Sequence, residues 1–278
     1  APPGPQAGYG AYGMSGSNYC FSTLGCSDLS LHETADLAER HGITSVELRA
    51  LSGTIDLISA LVAEFGTPAR FATFLTERNI RIAALNTSMR LFGSSSLSEL
   101  DPFIIWAEAA NIAYLRIFDG GKKIGAEELD RAATLLDKWQ GLRQSRGLNV
   151  ELMIETHDAL ADFDQLLAFL EYVPTARILW DTHHTWAKGT DLKTLWRHIA
   201  KNTVHLHVKD STTDKDGKRR YVLPGQGNFP IAELLSLLQP DERKVSLSLE
   251  WERHWHPQLP PLEDALKAAR HWWRQGVS

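Results

Sequence analysis

Cysteine, basic charge and long apolar runs are all scarce in this chain. Two cysteines in 278 residues exclude a disulfide-built scaffold. Cys20 and Cys26 could pair only across a sharp turn, so free thiols in a reducing compartment are expected, Cys26 as a small buried residue or a substrate contact. No apolar run approaches the ~20 residues of a membrane-spanning helix, so no membrane association is expected. Lys and Arg number 29 against 34 Asp and Glu, a net charge of −5, which leaves no electrostatic footprint for nucleic acid or an anionic membrane. The one basic cluster, Lys218, Arg219 and Arg220, sits in a Gly/Asp-rich stretch and reads as a solvated loop, or else as a contact for a phosphate or acidic substrate. The opening APPGPQAGYGAYG lacks a charged n-region and an apolar core, so it is not a signal peptide. Residues 1–17 are expected to be a disordered extension or expression remnant, with one domain over 18–278, and the location expected is cytoplasmic.

What the chain has in abundance is alternation. Strand-like runs fall at 19–25, 45–49, 80–86, 114–118, 149–155, 177–181, 203–208 and 244–250, with helical patterns between them. Ser30-Leu31-His32-Glu33 is a capping box and Gly42 a helix stop. Thr67-Pro68 and Asp101-Pro102 each place a capping side chain before a proline suited to the first turn. Helices are expected over 126–145, 158–170, 191–200, 230–238 and 262–275 as well. Eight β-then-α units make either a closed barrel or a doubly wound sheet. No Gly-rich dinucleotide turn follows the first strand. Polar strand ends recur in the last four units in succession, as a ring of βα loops requires. The reading is a single-domain (β/α)8 TIM barrel, with an active site at the C-terminal rim of its strands.

Those strand ends are Glu155, Asp181, His207 and Glu250. Two glutamates, an aspartate and an imidazole are the ligands of a hard or borderline divalent cation: Mn²⁺ first, with Mg²⁺, Co²⁺ or Zn²⁺ as alternatives. Alternation along 203–209 puts His205 and His207 on the inward face, His205 one layer lower, and Val204, Leu206 and Val208 outward. The competing reading is an ion-pair network with Lys209 and Arg253. Around the ligands, His184, His157, Arg116 and Glu47 are candidate substrate contacts, with mutual salt bridging as their alternative. Trp251 either walls a sugar pocket or packs on the last helix.

At these residues the chain resembles the sugar phosphate isomerase/epimerase family with the xylose-isomerase-like barrel. The likeness runs from residue 18 to the end, through STLGCSDLSLHETADLAERHGITSVELR, IET, WDTHH, HLHVKD, LPGQGNFP and SLEWERHWHP. It implies a metal site of Glu155, Asp181, His207 and Glu250, with the two glutamates as an acid/base pair and His184 on the substrate. The family's ketose 3-epimerases carry an arginine six residues beyond the metal histidine; here that position is Thr213.

Such a site suggests proton transfer through an enediolate on a small carbohydrate substrate, hence an isomerase or epimerase. A lyase (keto-sugar or inosose dehydratase, or an enzyme eliminating an aglycone from a 3-keto-glycoside) begins with the same proton removal. An abasic-site endonuclease would need about three zinc ions and a basic rim, and a non-enzymatic binder could keep the metal for structure. A homodimer is the expected assembly.

Overall fold

A computed structural model describes residues 17–238 and 245–275. In chain order it contains β1 (Ser17–Ser22), α1 (Leu31–Arg40), β2 (Ser45–Leu48), α2 (Leu57–Phe65), α3 (Pro68–Glu77), β3 (Arg81–Arg90), α4 (Asp101–Ala109), β4 (Tyr114–Phe118), α5 (Ala126–Arg146) and β5 (Glu151–Glu155). There follow α6 (Phe163–Tyr172), β6 (Ile178–Asp181), α7 (Thr182–Ala187), α8 (Leu192–Ile199), β7 (Thr203–Val208), β8 (Asp210–Thr213), β9 (Arg219–Val222), α9 (Ile231–Leu238), β10 (Val245–Leu249) and α10 (Leu262–Gln275). The barrel closes in the order β1-β10-β7-β6-β5-β4-β3-β2, with every pairing parallel. β8 and β9 form a separate antiparallel hairpin inserted after β7, which the eight-unit reading did not anticipate.

Most local signals act as expected. Ser30 and Glu33 cap α1 reciprocally, Thr67 accepts the Arg70 N–H ahead of Pro68, and Gly147 ends α5 in the left-handed region at φ 63°. Asp101 is the exception. It is the first residue of α4 and makes no cap, because a short turn over Leu97–Leu100, capped by Ser96, runs straight into the helix. Its carboxylate instead pairs with Arg146 at 3.0 Å. The helix expected over 158–170 is broken at Asp162, which caps α6. α2 and α7 were not foreseen. Ser17, assigned above to the extension, pairs with Val245 in β1. Residues 1–16 and Lys244, the expected start of the last strand, lie outside the described residues.

The main core lies between strands and helices. Inside the barrel Ala84, Met153 and Leu179 form a small apolar plug below the functional layer. Val204, expected on the outward face, packs against that plug. The register explains this: Ile178 pairs with Thr203 and Leu179 with His205, so Val204 is the extra residue of a bulge. Above the bulge the alternation resumes, and His205 and His207 both point inward.

Candidate metal centre

The register fixes where the polar strand ends meet. Asp181 lies beside His207, His207 beside Ser248, and Glu250, one residue past β10, donates its N–H to the Val208 carbonyl at 3.0 Å. Glu155 ends β5 beside Phe118. One donor atom from each of Glu155, Asp181, His207 and Glu250 falls within 4.8 Å of the others, and all four residues are buried. Nδ1 of His207 faces the carboxylate oxygens of Glu250, Glu155 and Asp181 at 3.3, 3.5 and 3.7 Å, yet makes no hydrogen bond.

The other ring nitrogen settles the tautomer. Nε2 of His207 lies 2.7 Å from Oε1 of Glu47. A carboxylate only accepts, so Nε2 carries a proton, and Nδ1 is the nitrogen left to offer its lone pair once a cation displaces the proton there. Donors about 2.1 Å from one ion lie roughly 3–4 Å from each other, which is the spacing His207 Nδ1 keeps from the three carboxylates. These residues therefore fit a divalent cation of the hard or borderline kind. Oxygen donors dominate, and one imidazole completes the set.

The same carboxylates set the protonation of the ring. Burial works against the charged form of His207, but Glu250, Glu47 and Glu155 outweigh it and hold the imidazolium well above its usual range. Burial likewise opposes the carboxylates. Even so Arg116 and His207 depress Glu155, His184 and Lys209 depress Asp181, and His207 and Lys209 depress Glu250. Each ligand carboxylate is thus ionised across the neutral range.

Part of the ion-pair alternative is present as well. Lys209 is fully buried, 2.8 Å from Asp181, 2.9 Å from Glu252 and hydrogen-bonded to Glu250. Arg253 does not join it; its partner is Asp28 at 3.8 Å. Lys209 therefore offsets some negative charge and leaves His207 Nδ1 unpaired.

The expected substrate contacts separate. His184 stays at the mouth, its N–H donated to Asp181 Oδ1 at 2.8 Å because Asp181 caps α7. Its ring meets that of His157 edge-on at 4.8 Å. Burial opposes the charged ring of His157, but Glu155, Asp158 and Asp181 hold its pKa above the ordinary value. Arg116 is committed to Glu155 at 2.8 Å. Glu47 is not on the rim. It is wholly buried beneath the cluster, bound to His207, to His205 at 2.7 Å and to Asn86. Trp251 is 1% exposed, with its indole N–H on the Pro260 carbonyl at 2.7 Å, so it packs rather than walls a pocket. A Cβ on Gly25 would come within 2.9 Å of both Trp251 and Leu262 of α10, which shows how closely that corner is filled.

Lys218, Arg219 and Arg220 are all exposed, as a solvated stretch requires, although the two arginines belong to a hairpin strand. Arg219 sits directly across the hairpin from Thr213, its guanidinium 4.7 Å from the Trp186 ring and 3.1 Å from Ser211 Oγ. Residues opposite each other in a ladder share a face, so Arg219 and Thr213 lie on the same side of the hairpin. Ser211 in turn meets His183 Nε2 at 2.7 Å. Asp119 was missed entirely. It gathers the backbone N–H groups of Gly120, His157, Asp158 and Leu160, tying the loop after β4 to the loop after Glu155. No spacing in the sequence signals that link. Glu252 could have been found, two residues after Glu250 in LEWE. A cavity of about 870 Å³ lined by Arg81, Tyr114, Arg177 and Thr203 lies at the opposite end of the strands, away from these residues.

A family model for the xylose isomerase-like TIM barrel matches residues 35–276. The chain belongs to that family. No curated protein matches it in sequence. Among solved structures it is similar to the probable 3-DHS dehydratase AsbF of petrobactin synthesis from Bacillus anthracis, at 18% identity and TM-score 0.72, over 91% of this chain and 98% of that one. An L-ribulose 3-epimerase superposes with TM-score 0.71 at 17% identity, covering 94% of both chains. A D-psicose 3-epimerase solved with D-fructose gives 0.67 at 11%, over 92% of this chain and 97% of that one. At these identities the likeness is one of fold.

Proposed function

We propose that the protein is a divalent-metal-dependent isomerase or epimerase acting on a sugar or sugar derivative. The observation that carries the reading is His207, whose Nε2 is fixed by Glu47 while Nδ1 faces three carboxylates without a hydrogen bond. Bound there, a cation such as Mn²⁺ would polarise a substrate carbonyl and make the neighbouring C–H acidic. The chain's own residues do the rest. Glu250 and Glu155 are the groups placed to take and return a proton. His184 and His157 stand beside them to bind hydroxyl oxygens, and Lys209 holds Asp181 and Glu250 in place. Neighbouring folds named as 3-epimerases support this choice of chemistry.

A lyase is the second reading, favoured by Arg116. With Oε2 of Glu155 held by that guanidinium, Glu155 is a weaker base than a free carboxylate. An unequal pair suits one-sided proton removal followed by loss of a β-leaving group, and a fold neighbour is named as a dehydratase.

Protein purified without added metal should contain a divalent ion by elemental assay, and chelation should abolish turnover. Incubated with Mn²⁺ and ketoses or keto-sugars in D₂O, it should place deuterium at the carbon beside the carbonyl, with Glu250→Gln slowing this by about 10²–10⁴-fold. Loss of water or an aglycone instead would select the lyase. Activity indifferent to chelator would end both readings.

A further inference from the structure

Two arginines reach the mouth from the first half of the barrel. Arg116 is neutralised by Glu155. Arg49, immediately after β2, is not. It is only 6% exposed, and among the described residues its guanidinium forms no hydrogen bond and no ion pair. Its Cζ lies 5.7 Å from the centroid of the Phe118 ring, against which Arg116 packs at 3.8 Å. Burial, with Arg116 adding to it, pushes Arg49 down to about 10, while Glu155 and Glu250 pull the other way without pairing. It is still charged at neutral pH.

Burying a guanidinium without a partner is costly, so a fold that holds one there implies a partner from outside. The holding is deliberate in geometry: Thr23 Oγ1 accepts the backbone N–H groups of both Arg49 and Ala50, at 2.9 and 3.2 Å. Arg49 also lines a cavity of about 430 Å³ with Thr87, Ser88, Met89 and Phe103. The two acids on that cavity, Asp56 and Glu99, are already engaged, one capping α2 and the other taking the Ser96 N–H.

We propose that Arg49 recognises an anionic group on the substrate, so that the protein acts on an acidic sugar derivative, a sugar carboxylate or a sugar phosphate. The planar fork of a guanidinium matches either anion bidentately, and a neutral hydroxyl would leave its charge uncompensated. The inference rests on the function proposed above and specifies its substrate class.

Calorimetric titration of the Mn²⁺-loaded protein with D-fructose, D-fructose 6-phosphate and D-fructuronate tests it. At least one charged probe should bind ten or more times tighter than D-fructose, and which one does so separates phosphate from carboxylate. Arg49→Gln should erase that preference, Arg49→Lys should keep part of it, and both should bind Mn²⁺ as the parent does. Equal affinity for the neutral and charged probes, no binding of either charged probe, or a preference that survives in Arg49→Gln would overturn it. Titration with Mn²⁺ alone separates the two ideas: failure there defeats the metal reading, whereas metal binding without charge preference defeats only the role of Arg49. Repeating the three probes on the metal-free protein tests Arg49 in either case.

Discussion

β5, β6, β7 and the residue after β10 bring Glu155, Asp181, His207 and Glu250 to the mouth of the barrel, whereas β4 and the residue after β2 bring Arg116 and Arg49. The acidic half gathers more negative charge than Lys209 alone can offset, and it leaves an imidazole nitrogen aimed at carboxylates. The basic half lends one cation to Glu155 and holds another in reserve. One residue crosses between them. Glu47 comes from β2 in the basic half, yet its carboxylate orients His207 in the acidic half. Four strand ends build the face that would hold a cation, but the orientation of its imidazole is set from across the barrel.

The sharpest way to break this division is to remove the crossing residue. Glu47→Gln keeps the volume but cannot accept from two imidazoles with a full charge, so His207 should lose its fixed tautomer. Mn²⁺ affinity should fall about 10–100-fold with the barrel intact by circular dichroism. Unchanged affinity would mean that the acidic half orients itself.

A pH titration probes the acidic half alone. Because the carboxylates hold the His207 proton well above its usual range, a cation must displace that proton to bind. Mn²⁺ affinity should therefore tighten as pH rises, by at most about tenfold per unit, with proton release visible by calorimetry in buffers of different ionisation enthalpy. The sign for folding is opposite in the metal-free protein. A raised histidine stabilises below its unfolded value near 6.5 and loses that contribution as pH climbs through its folded value. The depressed Glu155, Asp181 and Glu250 stabilise above about pH 4 and lose theirs as pH falls through their folded values.

The smallest effect is expected at the seam between the halves. Asp119→Asn leaves one acceptor oxygen for four backbone N–H groups, so thermal or denaturant unfolding should show a loss of about 1–3 kcal/mol. A few-fold drop in turnover should accompany it, since the loop carrying His157 hangs from that carboxylate. No loss of stability would show that the loop is held elsewhere.

How far the sequence could be read depended on whether the signal was local. The capping box at Ser30, the Thr67-Pro68 start and the stop at Gly147 each operate within one helical turn, and each holds. The bulge at Val204 depends on how one strand sits against another and has no local signature; the hairpin at 210–222 has one, Asp216-Gly217 at its turn, but its strands are too short and polar to read as such. The same division runs through the site. Glu155, Asp181, His207 and Glu250 announced themselves as polar ends of apolar runs. Glu47 was identified as a residue of interest but misplaced on the rim, and Trp251 was left between a pocket wall and packing on the last helix, because burial is a property of what lies opposite them.

Strand period, helix caps and the four terminal donors were thus determined by the chain's own order, since side-chain alternation and capping act over a few residues. Closure of the barrel decided what those donors meet: Glu47 under His207, Arg116 on Glu155, Lys209 among three acids, and Arg49 without a partner. Such pairings join residues up to 160 positions apart, and only the shear and register of a closed sheet can bring them within hydrogen-bonding reach.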